Sequence, residues 1–446
     1  MKTIKSITFL LLVLCLPVFG QTYSLKQCIE YAKKNNSNIR IASLDSDISG
    51  KMVTEQIGAG LPQIDITGSF DDKLKITTQI LAGELIGKPG TFIPVQMGTK
   101  YNVSAGISLT QKIFDPSFWV GLKAAKISKT MSEQNIQKTD EQTMYDISSA
   151  YYKATIIKKQ LDNMEKILAA SGHTLKSTEL KYQNGLVKKI VVDKIKVSYN
   201  ATNSQVQQTE LSYKQALNNL KFYMGMPVGN DIVLQAALPD SVTVVESGEN
   251  INFVENRVDY QIQKTNIELY EADKENNISA YLPTLSFYAN YNLQAMRTEF
   301  DFFKSGRDWY NNSAIGLELK IPVFSGFKRY SKVEQSQLNI EKATENLKLT
   351  EQSIKVELSN YYIQFQNAID NIQTERENLT LAESVYQNTQ LEFTQGTGSS
   401  LDLVQTESSL RETQNNYYNK LLTLYIAKLD LEKSQGTLIN FINNLK

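Results

Sequence analysis

The chain reads as mainly α-helical with a membrane β-barrel portion: four strands long enough to cross a bilayer, joined to very long antiparallel helices. Three observations predict this. The two halves of the sequence repeat one another in order. Four runs of roughly ten residues alternate apolar and polar side chains, the period of a strand with one apolar face. Between and after these runs lie two long proline-free stretches with apolar residues at steps of three and four.

The N-terminus comes first. Lys2 and Lys5 precede an apolar run from Phe9 to Phe19, and Gly20 stands before a cleavage position ahead of Gln21. These are the parts of a secretory signal peptide, expected over residues 1–20, and the run is too short for a spanning anchor. Cys15 follows Leu14 rather than the small residue a lipidation site prefers, which argues against a lipid anchor. With 1–20 removed only Cys28 of the two cysteines remains, so no intrachain disulfide is expected.

The repeat fixes the organisation. Leu61-Pro62-Gln63-Ile64-Asp65-Ile66 returns as Leu282-Pro283-Thr284-Leu285-Ser286-Phe287, and Leu109 to Phe114 returns as Leu319 to Phe324. Tyr182-Gln183-Asn184-Gly185 returns as Phe393-Thr394-Gln395-Gly396. A first structural repeat is therefore expected over 21–235 and a second over 236–446. Each reads helix, strand, loop, strand, very long helix, tight turn, helix. Pro62 and Pro283 sit where helical spacing gives way to alternation; Pro116 and Pro322 sit where alternation gives way to helix.

In the strands, Ile64, Ile66 and Phe70 oppose Asp65, Thr67 and Ser69, and Val103, Ala105, Ile107 and Leu109 oppose Ser104, Gly106, Ser108 and Thr110. Leu285, Phe287, Ala289 and Tyr291 oppose Ser286, Tyr288 and Asn290; Ile315, Leu317, Leu319 and Ile321 oppose Gly316, Glu318 and Lys320. Each run has the length of a tilted transmembrane strand. Aromatic residues gather near the strand ends: Tyr101, Phe114, Phe118 and Trp119, then Trp309, Tyr310, Phe324 and Phe327. Such clusters are the girdles of a membrane barrel.

In the helices, only Gly121 and Gly172 interrupt the stretch from Phe118 to Gln183. Ile147, Tyr151, Ala154, Ile157, Leu161, Met164 and Leu168 form one coiled-coil-like seam, and Ile354, Leu358, Tyr361, Phe365, Ala368 and Ile372 another. Each long helix would reach on the order of 100 Å at 1.5 Å per residue.

Four membrane strands cannot close a barrel, and open sheet edges are not tolerated in lipid. Copies of the chain must therefore share one barrel. Two would make the smallest, filled by side chains; three would leave room for a water-filled lumen, which the polar strand faces favour.

Composition excludes other classes. The 446 residues carry 47 basic and 47 acidic side chains, so no electrostatic footprint for nucleic acid exists. The single histidine, His173, lies on a helix surface by position, and no phosphate-binding glycine loop or nucleophile elbow occurs. No enzyme activity, metal or cofactor is expected. A mean hydropathy of −0.32 is that of a water-exposed protein. The alternative is a structural or adhesive coiled coil of the cell envelope, which leaves the strand pairs unexplained; a simple porin leaves the helices unexplained.

Along nearly its whole mature length the chain resembles the TolC-like outer membrane efflux protein family. Ser24-Leu25-Lys26-Gln27-Cys28-Ile29-Glu30-Tyr31-Ala32, with Asn35 and Asn36, is similar to the family's first helix. Asn256-Arg257-Val258-Asp259-Tyr260 is similar to the Asn-Arg-Pro-Asp that opens its second half, with Val258 in place of proline. Met224-Gly225-Met226-Pro227 resembles the end of its fourth helix, and Gly185-Leu186-Val187 and Gly396-Thr397-Gly398 its two helix-tip turns.

The resemblance implies a homotrimer with a twelve-stranded barrel in outer-membrane lipid and a helical tunnel across the periplasm. It implies loops around 71–100 and 292–312 facing outside, and a belt around the tunnel from 22–60, 227–260 and the C-terminal helix from about Gln435. It implies that the tips meet a periplasmic adaptor (membrane fusion protein) docked on an inner-membrane transporter, for efflux or type I secretion. Asp402 lies at a position where the family rings its closed aperture with acids, and Gln405 stands at the second such position. Gly398 and Phe393 fall where the family has a basic and a tyrosine locking residue. Val191 stands at an often acidic site, with Asp193 two positions on.

Overall fold

The computed structural model describes residues 22–235, apart from Gly83, Leu85, Ile86 and Lys88, and residues 253–444. The expected signal peptide and Cys15 lie outside the described residues, as does part of the 227–260 segment.

The chain opens with β1 (Thr22–Tyr23), α1 (Leu25–Asn35) and α2 (Ser37–Gly58), followed by β2 (Gln63–Asp72), β3 (Thr78–Ala82), β4 (Phe92–Gln96) and β5 (Tyr101–Phe114). The first long helix α3 (Pro116–Gln183), then α4 (Lys189–Met224) and β6 (Val233–Leu234), come next. The second half runs α5 (Phe253–Asn256), α6 (Val258–Ser279), β7 (Thr284–Arg297), β8 (Tyr310–Lys320), α7 (Lys328–Gln395), α8 (Ser400–Ser434) and α9 (Leu438–Asn443). Both long helices have 68 residues, and the isolated Gly121 and Gly172 leave α3 unbroken.

The chain divides into two compact units, each drawing on both halves of the sequence. One comprises Asp45–Glu133 and Ile262–Lys348. Its centre is an antiparallel sheet in the order β2-β5-β7-β8, so the middle pair joins the two halves. The register carries the alternation intact across all four strands. Ile64, Leu109, Ala289 and Ile315 form one apolar row; Ile66, Ile107 and Tyr291 form the next. On the other face Thr67, Gly106, Asn292 and Asn312 are aligned, beside Ser69, Ser104 and Gln294. The apolar face is uncovered, with Ile66 82% and Ile315 79% exposed. No described helix is long and apolar enough to cross a membrane.

Two of the expected loop boundaries need correction. β7 continues to Arg297 and β8 begins at Tyr310, so the second connection is 298–309. Asp71 and Asp72 belong to β2, opposite Asn102 and Tyr101, and the first connection holds the β3–β4 hairpin. Polar residues such as Asn292 and Gln294 interrupt strand-like composition, but β5 supplies their backbone partners and extends the pairing.

Six of the eight aromatic residues noted near the strand ends, all but Phe114 and Tyr310, lie in ring clusters. Phe70 packs against Tyr101, Phe300 and Phe302 at centroid distances of 6.2, 5.8 and 6.3 Å, and Phe302 meets Trp309. Beyond the opposite strand ends, Phe118 lies 5.1 Å from Trp119 and Phe324 5.9 Å from Phe327.

The other unit comprises the described residues of Met1–Leu44, Gln134–Gln261 and Leu349–Lys446. Its main core joins α1, α3, α4, α7, α8 and α9 around Cys28, Ile147, Ala154, Leu220, Phe365, Leu429 and Leu438. The short parallel pair β1–β6 packs against it. Ser24 opens α1 with a capping box: its hydroxyl accepts from the Gln27 amide at 3.3 Å and Gln27 accepts from the Ser24 amide at 2.9 Å. Cys28 is a buried free thiol, its pKa pushed up to about 12 by burial. Of the predicted seam, Ile147, Tyr151, Ala154, Leu161 and Met164 are buried, but Ile156 and Ile167 replace Ile157 and Leu168. A straight helix drifts against a strict heptad, so the buried stripe moves by one position along its length.

Candidate pore face and helix-tip surface

The two tips are built alike. Leu186 N donates to Lys181 O at 2.8 Å and Gly185 N to Tyr182 O at 2.9 Å. Thr397 N donates to Glu392 O at 3.0 Å and Gly396 N to Phe393 O at 3.2 Å. Each pair is a Schellman termination, which needs a left-handed residue; Gly185 has φ 73° and Gly396 φ 86°. Gly398 is needed for a different reason: a Cβ there would lie 2.9 Å from the Phe393 amide nitrogen. Leu186 is 74% exposed, Thr397 is exposed, and Val187 is half-buried.

The structure brings the two tips together. Lys181 Nζ donates to Thr394 O at 3.0 Å and stands 6.0 Å from the Phe393 ring centroid. Below them Ile167, Ile195, Tyr386, Leu403 and Leu410 form a small core shared by α3, α4, α7 and α8.

Asp402 occupies the first turn of α8. Ser399 caps that helix through its hydroxyl, which accepts from the Asp402 amide at 3.1 Å. The Asp402 carboxylate is exposed at the positive end of the helix dipole. Gln405 lies one turn on, also exposed, while Leu403, Glu407 and Leu410 are buried. Asp402 and Gln405 thus share a helix face that no described residue of the chain covers.

Glu407 was not foreseen as a functional residue. Its carboxylate accepts from Thr202 Oγ1 at 2.7 Å, Arg411 NH1 at 3.0 Å and Ser171 Oγ at 3.4 Å, linking α8 to α4 and α3. Arg411 also donates to Thr202. Burial, with the Glu407 charge as the next cause, pushes Tyr386 up to about 12. The signal was present: Leu403, Glu407, Leu410 and Gln414 follow seam spacing, which sets a carboxylate among core positions.

The Asn256-Arg257-Val258-Asp259 segment gains a physical role. Val258 is the first residue of α6, the one helix position where proline fits equally well. Arg257 is 7% exposed; it donates to Asp259 at 3.1 Å and Lys433 O at 3.3 Å, and pairs with Glu357 at 3.6 Å. Lys138 meets Asp259 at 2.7 Å. These groups line a 320 Å³ polar cavity with Glu141, Tyr145 and Asp430. Burial raises the pKa of Glu141 against the pull of Arg257 and Lys433, and raises that of Asp430 against its hydrogen bond from Tyr145.

A sheet with one lipid-suited and one polar face, open edges and paired long helical hairpins is the build of an outer-membrane channel subunit. The sequence pattern of the family described as "Outer membrane efflux protein" matches residues 28–226 and 253–437. The chain belongs to that family. It is 21% identical over 428 residues to the outer membrane protein TolC of Vibrio cholerae serotype O1, covering 93% of this chain and 91% of that one. Its fold matches the CusC structure with a TM-score of 0.73 at 15% identity, covering 94% of this chain and 93% of that chain. It matches the outer membrane protein VceC of Vibrio cholerae with a TM-score of 0.69 at 15% identity, covering 92% and 96%. The protein is accordingly an outer-membrane channel component with a periplasmic helical extension, serving efflux or type I secretion.

Proposed function

We propose that three copies of the chain form one conduit, that the tips at Gly185-Leu186-Val187 and Gly396-Thr397-Gly398 meet a periplasmic adaptor carried by an inner-membrane transporter, and that Asp402 and Gln405 face the narrowest passage. The observation that carries the aperture assignment is the uncovered α8 face holding Asp402 and Gln405 beside the joined tips. Two features support the trimer. β2 and β8 are both open edges of the sheet, which lipid does not tolerate. On α7, Leu349, Val356 and Ile363 recur every seven residues and are 64, 59 and 61% exposed, an unpaired coiled-coil seam.

The element order of 21–235 and 236–446 supports two structural repeats, built for quasi-symmetric packing around a shared axis. The family to which the chain belongs is one of channel components, which supports a passage rather than an enzyme; its one histidine, His173, is exposed on α3. With Gly398 and Phe393 at the positions of the family's locking pair, the contact of Lys181 with Thr394 and Phe393 takes over the bracing of the tip within one chain.

Three symmetry-related Asp402 carboxylates around a narrow opening would favour cations. In planar bilayers under a salt gradient, the wild type is expected to show a cation-preferring reversal potential. Asp402→Asn, nearly isosteric and at an exposed site, should move it toward zero with the trimer intact. Identical reversal potentials would make Asp402 a helix-end charge only.

A further inference from the structure

We propose that the groove between the start of α3 and α6 binds the headgroup of a zwitterionic, amine-bearing phospholipid at the membrane boundary. The groove encloses 510 Å³ and lies within the sheet-containing unit. Its α3 wall consists of Trp119, Leu122, Lys123, Lys126 and Ile127, and Glu268 and Glu271 on α6 face them. The α3 residues follow the steps of one helix face. Phe118 and Gly121 lie on another face: a Cβ at Gly60 would strike the Phe118 ring, and one at Gly121 would strike Gln56. The groove side of α3 is therefore the side away from α2.

Depth along the helix matches the layers of a bilayer. β5, a membrane strand, ends at Phe114, and α3 begins at Pro116. Trp119 falls in the first turn and is 64% exposed, the position of an interfacial aromatic. Lys123 and Lys126 follow about 6 and 10 Å farther along the axis at 1.5 Å per residue. The headgroup layer on each side of the hydrocarbon is about 5–8 Å thick. The indole thus reaches the acyl–glycerol boundary while the two ammonium groups stand at and just beyond the phosphate.

Charge selects the headgroup. Lys123 is already engaged, bonded to Glu275 at 2.7 and 2.9 Å, so its charge is partly met within the chain. Lys126, Glu268 and Glu271 are exposed and form no ion pair among the described residues. One free cation beside two free carboxylates suits a phosphate that carries its own ammonium group. Lys126 meets the phosphate, and Glu268 and Glu271 meet the amine. An anionic headgroup without an amine would set its charge against both glutamates.

The chain has two tryptophans, so Trp309→Phe leaves Trp119 as the only indole. The full-length Trp309→Phe protein, delipidated in detergent, is titrated with phosphatidylethanolamine bearing brominated acyl chains, and in parallel with brominated phosphatidylglycerol and with inorganic phosphate. Saturable quenching of Trp119 is expected with the former lipid at lower concentration than with the latter. Lys126→Ala should weaken it roughly fivefold, the worth of one lysine at a lipid surface, and Lys126→Arg should restore it. Glu268→Gln with Glu271→Gln should abolish the preference between the two lipids. Equal quenching by both lipids in the parent protein, or no effect of Lys126→Ala, would mean ordinary annular lipid and overturn the proposal. Displacement of the bound lipid by inorganic phosphate would overturn it in favour of a free-anion site.

Discussion

At the scale of single residues, the buried carboxylates of the helical unit contribute to its response to pH in opposite directions. Burial holds Glu141, Asp146 and Asp430 above the ordinary carboxylate range. A group with a higher pKa folded than unfolded takes up protons on folding, so these three oppose folding at neutral pH and the penalty lifts as pH falls through their raised values. Asp259 runs the other way. Burial works against its charge, but hydrogen bonds from Lys138 and Arg257 prevail and hold it below its usual value. Its contribution is present above the ordinary aspartate range and fades only in stronger acid. The thermal midpoint is therefore expected to rise as pH falls from neutrality toward the ordinary carboxylate range, then fall in stronger acid. Glu141→Gln should make that rise shallower. A midpoint that drops steadily from neutrality, measured by scanning calorimetry, would refute this.

Residues also mark where the sequence was silent. The tip glycines were legible because only glycine enters the left-handed region without penalty, and both terminations use it. Arg257 was legible only through resemblance, since its partners Glu357 and Lys433 are distant in sequence and meet it only after the helices pack.

At the scale of elements, alternation over four strands survives in the register because a slip of one residue would exchange the two faces. That makes the faces testable. Ile66→Lys sets a charge on the apolar face and should cost about 2–4 kcal/mol near the midplane. Thr67→Lys, its neighbour on the polar face, should cost little. Urea titration of the lipid-reconstituted protein would compare them, and equal losses would show that the faces are not lipid and lumen. Strand ends were less legible than strand centres, since β7 gains its last residues from pairing with β5 and not from its own composition.

Helix packing holds a second test. Glu407 ties α8 to α3 and α4 through Thr202 and Ser171. Glu407→Ala leaves Arg411 partly buried without its partner and should destabilise by about 3 kcal/mol. The pair of substitutions Glu407→Met and Arg411→Met should cost much less, because Thr202 keeps its bond to Ser198 O at 3.1 Å. Denaturation of the three proteins would measure it; a double variant as unstable as Glu407→Ala would mean that the ion pair itself supplies the stability. The length and seam of the helices were legible in spacing and in the absence of proline. The seam spacing of Leu403, Glu407 and Leu410 sets a carboxylate among core positions, but i,i+4 Glu–Arg spacing is also that of an ordinary surface pair, so spacing alone does not assign its burial.

At the scale of the whole molecule, one chain is an incomplete object. Among the described residues, its sheet has a lipid-suited face that nothing covers and two edges that nothing pairs, and α7 carries an apolar seam without a partner. Four strands are too few to enclose a lumen, and closure by three copies would pair the β2 edge of each with the β8 edge of the next. The need for partners was legible from strand count alone, while the number of partners came from the size of lumen that polar strand faces require. The most direct measurement is the mass of the detergent-extracted protein by native mass spectrometry. A single species at three times the mass of the mature chain is the expected result. A monodisperse single chain, stable in buffer without detergent, would contradict the shared barrel and with it the channel.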